Sequence, residues 1–279
     1  MPERWEWDET LYSGSAPYYR RGRSPYATDL AERVAEALSL DGSGRLLDVG
    51  CGPGVVALPL APHFGEVVGL DPDAAMLAEA VTRANALGVA NVRWVQARAE
   101  ELPLGLGTFR MATFAQSFHW MDRPLVAAAV SALLEPSGAL LHINLVENPS
   151  TESMRLPWPT PPYAAIQTLV RQDLGPVRRA GCGVLRKGTP GGEAAIFREA
   201  GFALSRRLVM TATEPLVRDI DDIVAWVFSR SDSAPHLFGE QLTAFETELR
   251  QVLHEATPRG RFANPPSDTE VFIWSKAKD

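Results

Sequence analysis

The period of apolar positions changes several times along the chain, and each change predicts an element. Leu30, Val34, Ala37 and Leu38 recur at i, i+4, i+7 and i+8, the spacing of one helical face, and Asp41-Gly42-Ser43-Gly44 ends that helix. Residues 45–49, RLLDV, read as a short buried strand that runs straight into the glycines of GCGPG. A helix is expected over 55–63, bent or shortened by Pro59. A second strand covers 67–70. The next helix has Asp73 as its N-cap and Gly88 as its stop. Strands follow at 92–97 and 111–117. Asp122 caps the apolar helix LVAAAVSALL, Pro136-Ser137-Gly138 ends it, and a fifth strand covers 139–146. This alternation of strand and helix predicts a parallel sheet with helices on both faces.

Past Asn148 the rhythm changes. Residues 148–202 read as an insertion over the carboxyl edge of the sheet, with a helix over 164–173 and a helix end at 196–200. A strand is expected at 205–212, helices at 217–229 and 240–256, and a closing strand at 271–275. The two late strands are expected to join the same sheet. Residues 1–25 are aromatic, arginine-rich and irregular. The whole is read as one domain, 1–279, with a lid at 1–25 and a substrate-side insertion at 148–202.

Composition narrows the function. The formal charge of −7 and an isoelectric point near 5.4 argue against a general nucleic-acid binder, which needs a basic surface. No apolar run approaches the ~20 residues of a membrane span, and MPERWEWDET is too polar for a signal peptide. Two cysteines, Cys51 and Cys182, make neither a disulfide framework nor a thiolate metal site. No His/Asp/Glu spacing suggests a metal centre. A cytoplasmic protein without metal, membrane or nucleic-acid partner is expected.

The strongest motif is Leu46-Leu47-Asp48-Val49-Gly50-Cys51-Gly52-Pro53-Gly54. A strand feeding a glycine turn lets a ligand approach the backbone where a side chain would block it. Asp71 ends the next strand, 17 residues after Gly54. A carboxylate there can accept hydrogen bonds from both hydroxyls of a ribose. A dinucleotide fingerprint would place its third glycine at position 55, which is Val55. Asp48 would also repel a pyrophosphate. A ligand bearing an ammonium and a sulfonium tolerates that carboxylate, so the electrostatics favour an adenosyl amino acid.

LLDVGCGPG, VVGLDPDAAML, VRWVQARAEELPL and FRMATFAQSFHWMDRP together resemble the class I S-adenosylmethionine-dependent methyltransferases of the small-molecule group. Coverage is good from about Tyr18 to Val146 and looser in the tail. The resemblance implies a Rossmann-like α/β fold: a seven-stranded, mostly parallel sheet with helices on both faces and the last strand antiparallel. It implies S-adenosyl-L-methionine as cofactor, S-adenosyl-L-homocysteine as product, and methyl transfer to a small-molecule acceptor by a monomer or homodimer.

By position, Asp48, Gly50, Cys51 and Gly52 would line the methionine part. Asp71 would bind the ribose, with Pro72 and Met76 beside the adenine. Ala99, through its backbone N–H, and the side chain of Arg98 would face the adenine edge, Glu100 would be a further cofactor-binding residue, and Gln116 would border the cofactor. Tyr19 and Arg23 would close the methionine end from a YxxGRPPY-like lid, here YYRRGRSPY. Two departures stand out. The family often has an aspartate where this chain has Arg98, and strand four usually starts Phe-Asp where this chain has Phe109-Arg110.

Methyl transfer is an in-line displacement in which the protein mainly aligns the acceptor and excludes water. His119, just after the fourth strand, is the candidate general base, and Trp120 a candidate wall of the methyl pocket. His142 reads as a core histidine, and His63, His236 and His254 as surface residues. Arg178-Arg179 and Arg186-Lys187 are candidates to recognise an acidic acceptor. The alternative is a methyltransferase-like protein that binds the cofactor without transferring methyl, either a cyclase or rearrangement catalyst or a regulatory binder.

Overall fold

The computed structural model describes residues 8–148, 151, 154–176, 179–180, 183–184 and 191–277. Its elements, in chain order, begin with helices α1 (Ala16–Gly22) and α2 (Leu30–Leu38) and strand β1 (Arg45–Val49). Then come α3 (Ala57–Leu60), β2 (Glu66–Asp71), α4 (Ala74–Leu87), β3 (Val92–Gln96), β4 (Phe109–Ala115), α5 (Arg123–Leu133) and β5 (Leu134–Glu147). The later part holds α6 (Tyr163–Leu174), a small β6–β7 pair (Arg179–Ala180, Gly183–Val184), α7 (Glu193–Glu199), β8 (Phe202–Met210) and β9 (Leu216–Asp219). It closes with α8 (Ile220–Phe228), α9 (Leu242–Ala256), β10 (Arg261–Asn264) and β11 (Ser267–Lys276).

The seven-stranded sheet has the order β3-β2-β1-β4-β5-β11-β8. Strands β1 to β5 are mutually parallel, and β11 runs antiparallel to both β5 and β8. This is the Rossmann-like α/β sheet with an antiparallel last strand that the sequence resemblance implied. Chain order reverses between β1 and β4, so their carboxyl ends flank the crevice where ligands of open α/β sheets bind. Leu46 and Val67 face α2 and α3 through Leu30, Val34 and Leu60. Leu47 and Val68 face the opposite layer, with Val126 of α5 and Phe197 of α7.

The helical layer over the crevice is larger than the expected 148–202 insertion. It joins α6 to α8, α9 and the β9–β10 ribbon around Ile166, Phe228, Phe245, Leu249 and Phe262. Helix α7, expected within the insertion, instead packs on the sheet, with Phe197 stacked 4.7 Å from Phe118.

Other boundaries moved for local reasons. Residues 217–219 are strand rather than helix, because Asp219 is an extended N-cap in a reciprocal capping box with Asp222. The expected helix over 55–63 breaks into α3 and a 3₁₀ turn at Ala61–His63, with Pro59 and Pro62 inside. No pattern of apolar positions marks α1, since seven residues are too few to display a period. Arg110, the departure at the start of β4, bonds to Asp41 and to the Ser39 carbonyl, tying that strand to the turn after α2. This pairing holds the Asp41 carboxyl below the usual carboxylate range, with the Ser43 hydroxyl contributing most.

The N-terminal strap, residues 8–23, is seated by the C-terminal helical layer. At Gly22, where α1 crosses α8, an added Cβ would stand 2.3 Å from the Ala225 carbonyl oxygen. Ser15 Oγ donates to the Phe228 carbonyl (2.8 Å), Arg23 Nη2 to that of Ser229 (2.6 Å), and Arg218 Nη1 to that of Gly22 (3.1 Å). Arg21 pairs with Asp219 and Asp222. His236, expected at the surface, places Nδ1 2.9 Å from the Ser13 carbonyl. Gly22→Val is therefore expected to unseat the strap while leaving the sheet folded. The measurement is limited trypsin digestion: cleavage after Arg20, Arg21 and Arg23 should accelerate several-fold with little change in circular dichroism.

Candidate functional site

The glycine turn after β1 is held by the end of β2. Gly50 and Cys51 both donate their backbone N–H to the Leu70 carbonyl, at 2.7 and 3.0 Å. Gly52 N–H donates to Asp71 Oδ2 (2.8 Å), while Asp71 Oδ1 accepts from Asp73 N–H (2.9 Å). Gly50 and Gly52 have φ of 69° and 51°, the left-handed region that favours glycine. A Cβ at Gly50 would collide with Ser117, 2.6 Å away, whereas one at Gly52 would meet nothing within 4 Å. Gly52 thus leaves its open side to the crevice.

Over this turn lies a cavity of about 770 Å³, open mouth included. Sheet order gives it two ends. On the β3 side it is lined by Pro72, Asp73, Met76, Arg98, Ala99 and Glu100. On the β4 side it is lined by Ala115, Gln116, Ser117, Trp120 and Met121. The strap supplies Glu9, Leu11, Tyr12 and Tyr19. Tyr12 meets Trp120 edge-on at 5.7 Å and Tyr19 at 6.2 Å, so three aromatic rings close one end.

Of the residues proposed from sequence, the structure brings Tyr19, Gly50, Gly52, Asp71, Pro72, Met76, Arg98, Ala99, Glu100 and Gln116 to this one cavity. Four others lie elsewhere. Asp48 is 1% exposed beneath the turn, where it accepts from Thr113 Oγ1 (2.6 Å) and from Ala57 N–H (3.1 Å). Its carboxylate joins β1, β4 and the first turn of α3 instead of facing a ligand. Cys51 is buried behind the turn, packed toward Gly69, and burial pushes its thiol pKa well up. Arg23 stands under Tyr19, its guanidinium 5.0 Å from the ring centre, and its Nε is a buried donor without a partner.

His119 is the fourth. The 3₁₀ turn Phe118–Trp120 sends successive side chains about 120° apart. Phe118 enters the core, Trp120 lines the cavity, and His119 lies against the Trp120 ring at 4.7 Å, outside the lining. Burial, then the charges of His142, Arg23 and Arg123, push its pKa down to about 4. His142 sits among Phe118, Phe197 and Phe272, as a core histidine. Arg178, Cys182, Arg186, Lys187 and the Arg179 side chain lie outside the described residues.

Sequence reading missed Glu9, Leu11 and Tyr12. Their only trace was the aromatic density of the first 25 residues. Asp71 at the cavity and Asp48 beneath the turn share one property: burial raises the pKa of both to about 6, against the pull of their hydrogen bonds. Among the described residues, no cluster of three or more His, Cys, Asp or Glu could hold a metal ion, and no helix is long and apolar enough to cross a membrane.

A turn pinned to the second strand, a terminal acid there and a crevice at the strand-order reversal form a cavity where ligands of open α/β sheets bind. Residues 46–138 match the methyltransferase domain family. The chain is 28% identical over 138 residues to the uncharacterized methyltransferase YcgJ of Bacillus subtilis, covering 49% of this chain and 54% of that protein. It spans between a third and two thirds of the length of the curated relatives it matches. Among solved structures it is similar to a SAM-dependent methyltransferase from Thiobacillus denitrificans in complex with S-adenosyl-L-homocysteine. That match has a TM-score of 0.50 and 17% identity, over 94% of this chain and 97% of the other. It is also similar to the [4+2]-cyclase SpnF, with a TM-score of 0.55 and 19% identity over 97% and 96%. These matches assign a methyltransferase domain to residues 46–138, and the chain shares the fold of the SAM-dependent methyltransferase from Thiobacillus denitrificans.

The position of Asp48 generates a test of stability. Asp48→Ala leaves Thr113 Oγ1 and Ala57 N–H without their acceptor in a closed interior. A loss of about 1–3 kcal/mol is expected from two-state urea unfolding. Equal midpoints for the variant and the parent protein would contradict the joining role.

Proposed function

We propose that this protein is an S-adenosyl-L-methionine-dependent methyltransferase that moves a methyl group to a small-molecule acceptor. The observation that carries the reading is the Asp71 carboxylate at the cavity beside the open face of Gly52. A phosphate-bearing dinucleotide would find the turn's N–H groups already engaged by Leu70 and Asp71, and a carboxylate where it needs donors. A ribose diol is the complementary partner, since its hydroxyls donate to a carboxylate.

The rest of the cavity fits the same cofactor. The bound cofactor supplies a methyl group activated on a sulfonium, with a neutral thioether as leaving group. Asp71 holds the ribose, and Pro72, Met76, Arg98, Ala99 and Glu100 flank the base. Gly50, Gly52 and Gln116 border the amino-acid side. Tyr12, Tyr19 and Trp120 present aromatic faces to the cationic end and keep water from it. Arg23 supports this wall from beneath. His119 backs the Trp120 ring in this reading, since a group with a pKa near 4 is a weak base at neutral pH. The acidic composition fits a small acceptor, and a cytoplasmic monomer or homodimer completes the proposal.

The fold also serves a cyclase, SpnF, so a second reading is cofactor binding without transfer. Incubation with methyl-labelled S-adenosyl-L-methionine and candidate acceptors separates the two: release of S-adenosyl-L-homocysteine supports transfer, and intact cofactor beside a rearranged acceptor supports the alternative. Calorimetry with S-adenosyl-L-homocysteine and with NAD tests the site, and binding of NAD alone would overturn the proposal.

Further outcomes are expected for Asp71 and His119. Asp71→Ala should weaken S-adenosyl-L-homocysteine binding by roughly 1.5–3 kcal/mol, the range for hydrogen bonds to a charged group. The carboxylate form accepts the ribose hydroxyls, and the pKa of Asp71 in the free protein is about 6. Affinity should therefore be full above pH 7 and fall as pH drops through 6, by at most about tenfold per unit. Asp71→Asn should flatten that limb. For His119→Gln, the pH profile of kcat should keep its shape, with no limb near 6.5 lost. Disappearance of such a limb would restore His119 as the base.

A further inference from the structure

The strap brings an uncommitted charge to the cavity. From Asp8 to Ser15 the chain runs in successive turns. Leu11 N–H donates to the Asp8 carbonyl (3.1 Å), Ser13 N–H to that of Thr10 (3.0 Å) and Ser15 N–H to that of Tyr12 (2.8 Å). Turns of this kind align side chains three residues apart, and Glu9 and Tyr12 both reach the cavity. Tyr12 meets Trp120 edge-on, so Glu9 arrives on the side of the aromatic wall.

The other carboxylates of the lining are occupied. Asp71 accepts from Gly52 and Asp73 N–H, and Asp73 Oδ1 caps α4 through Ala75 and Met76 N–H. Glu100 Oε1 accepts from Asp122 N–H at 2.8 Å. Arg98, the guanidinium of the lining, stands 3.9 Å from both Glu100 and Glu101. Among the described residues, the Glu9 carboxylate makes no hydrogen bond or ion pair.

The lining also restricts the atom that can be methylated. Among the described residues it holds no histidine, lysine or cysteine. His119 lies outside it with a pKa of about 4, and burial holds the Tyr12 hydroxyl well above its ordinary value. An alcohol would need a stronger base than a carboxylate to ionise it. A thiolate, phenolate or carboxylate would enter against Glu9, Asp71, Asp73 and Glu100, with Arg98 as the counter-charge. A neutral amine meets neither obstacle. Its lone pair is already available, and the ammonium it becomes is complementary to a carboxylate and to aromatic faces.

We propose that Glu9 is a specificity-determining residue for the acceptor, and that the acceptor is a small primary or secondary amine, bound against Tyr12 and Trp120 with an N–H directed at the Glu9 carboxylate. This assignment rests on the methyltransferase reading given above. The amine sheds any extra proton to water at the open mouth and reacts in its neutral form. Its nitrogen forms the N–C bond as the S–C bond breaks, and the S–C electron pair stays on sulfur in the thioether. Positive charge thereby moves from sulfur to nitrogen, toward Glu9, so the carboxylate favours the transition state over the ground state. The methylated ammonium then releases its proton to water.

The test uses ligand-observed NMR with S-adenosyl-L-homocysteine saturating the cofactor site. Matched amines, alcohols and carboxylates on phenylmethyl, cyclohexylmethyl and n-hexyl skeletons are the probes. In the parent protein the amine should bind most tightly, by roughly fivefold over its alcohol, the most that an exposed ion pair gives. Glu9→Gln should remove that preference, and Glu9→Lys should turn it toward the carboxylate. Glu9 is exposed, so neither change disturbs the core. A preference unchanged in both variants, equal binding of amine and alcohol by the parent protein, or binding of no amine overturns the assignment while leaving the methyltransferase reading intact. Loss of S-adenosyl-L-homocysteine affinity in Glu9→Gln would place Glu9 on the cofactor and overturn it as well. Failure of the parent protein to bind S-adenosyl-L-homocysteine overturns both.

Discussion

The site depends on how the first strand hands its turn to the second. Two N–H groups converge on the Leu70 carbonyl, and a third reaches Asp71. In a phosphate-binding turn such donors would point at the ligand. Here they point into the sheet, so the turn is rigid before any ligand arrives and offers a bare backbone face at Gly52. From beneath, Asp48 secures the same turn to β4 and α3. The chemistry at the mouth is then set by side chains: one carboxylate, an aromatic cluster and a mixed-charge loop after β3.

The two buried acids illustrate how position divides labour between identical side chains. Both carry a raised pKa for the same reason, removal from water. Asp48 meets only protein groups and is a structural joint. Asp71 uses one oxygen for the turn and one for the start of α4, yet remains at the cavity wall.

Much of the fold was legible because the parallel strands are short, apolar and punctuated. RLLDV and its glycines, the Asp73 cap and the Gly88 stop carry their structure locally. Most residues that followed directly from those motifs, Gly50, Gly52, Asp71, Pro72, Met76 and 98–100, gather at one cavity. Sequence reading failed where position depends on partners far along the chain. Asp48 could be placed at a strand tip, but the direction of its carboxylate is set by Thr113, 65 residues away. His119 could be placed after β4, but a 3₁₀ turn decides which of three neighbours faces the crevice. Tyr12 belongs to a segment with no period at all, and its place is set by contacts with Trp120 and Tyr19. The grouping of α6 with α8 and α9 was not legible, because an amphipathic pattern reports that a face is covered and not by which element.

The crossing of α1 and α8 has a consequence for biosynthesis. The strap leaves the ribosome well ahead of its seat, since the helix that receives Gly22 is made about two hundred residues later. Throughout elongation the central strands can pair while the aromatic wall of the crevice has no seat. The pocket is thus completed only when the strap docks onto the later-made helices, and a nascent chain that lacks α8 holds the glycine turn without its cover.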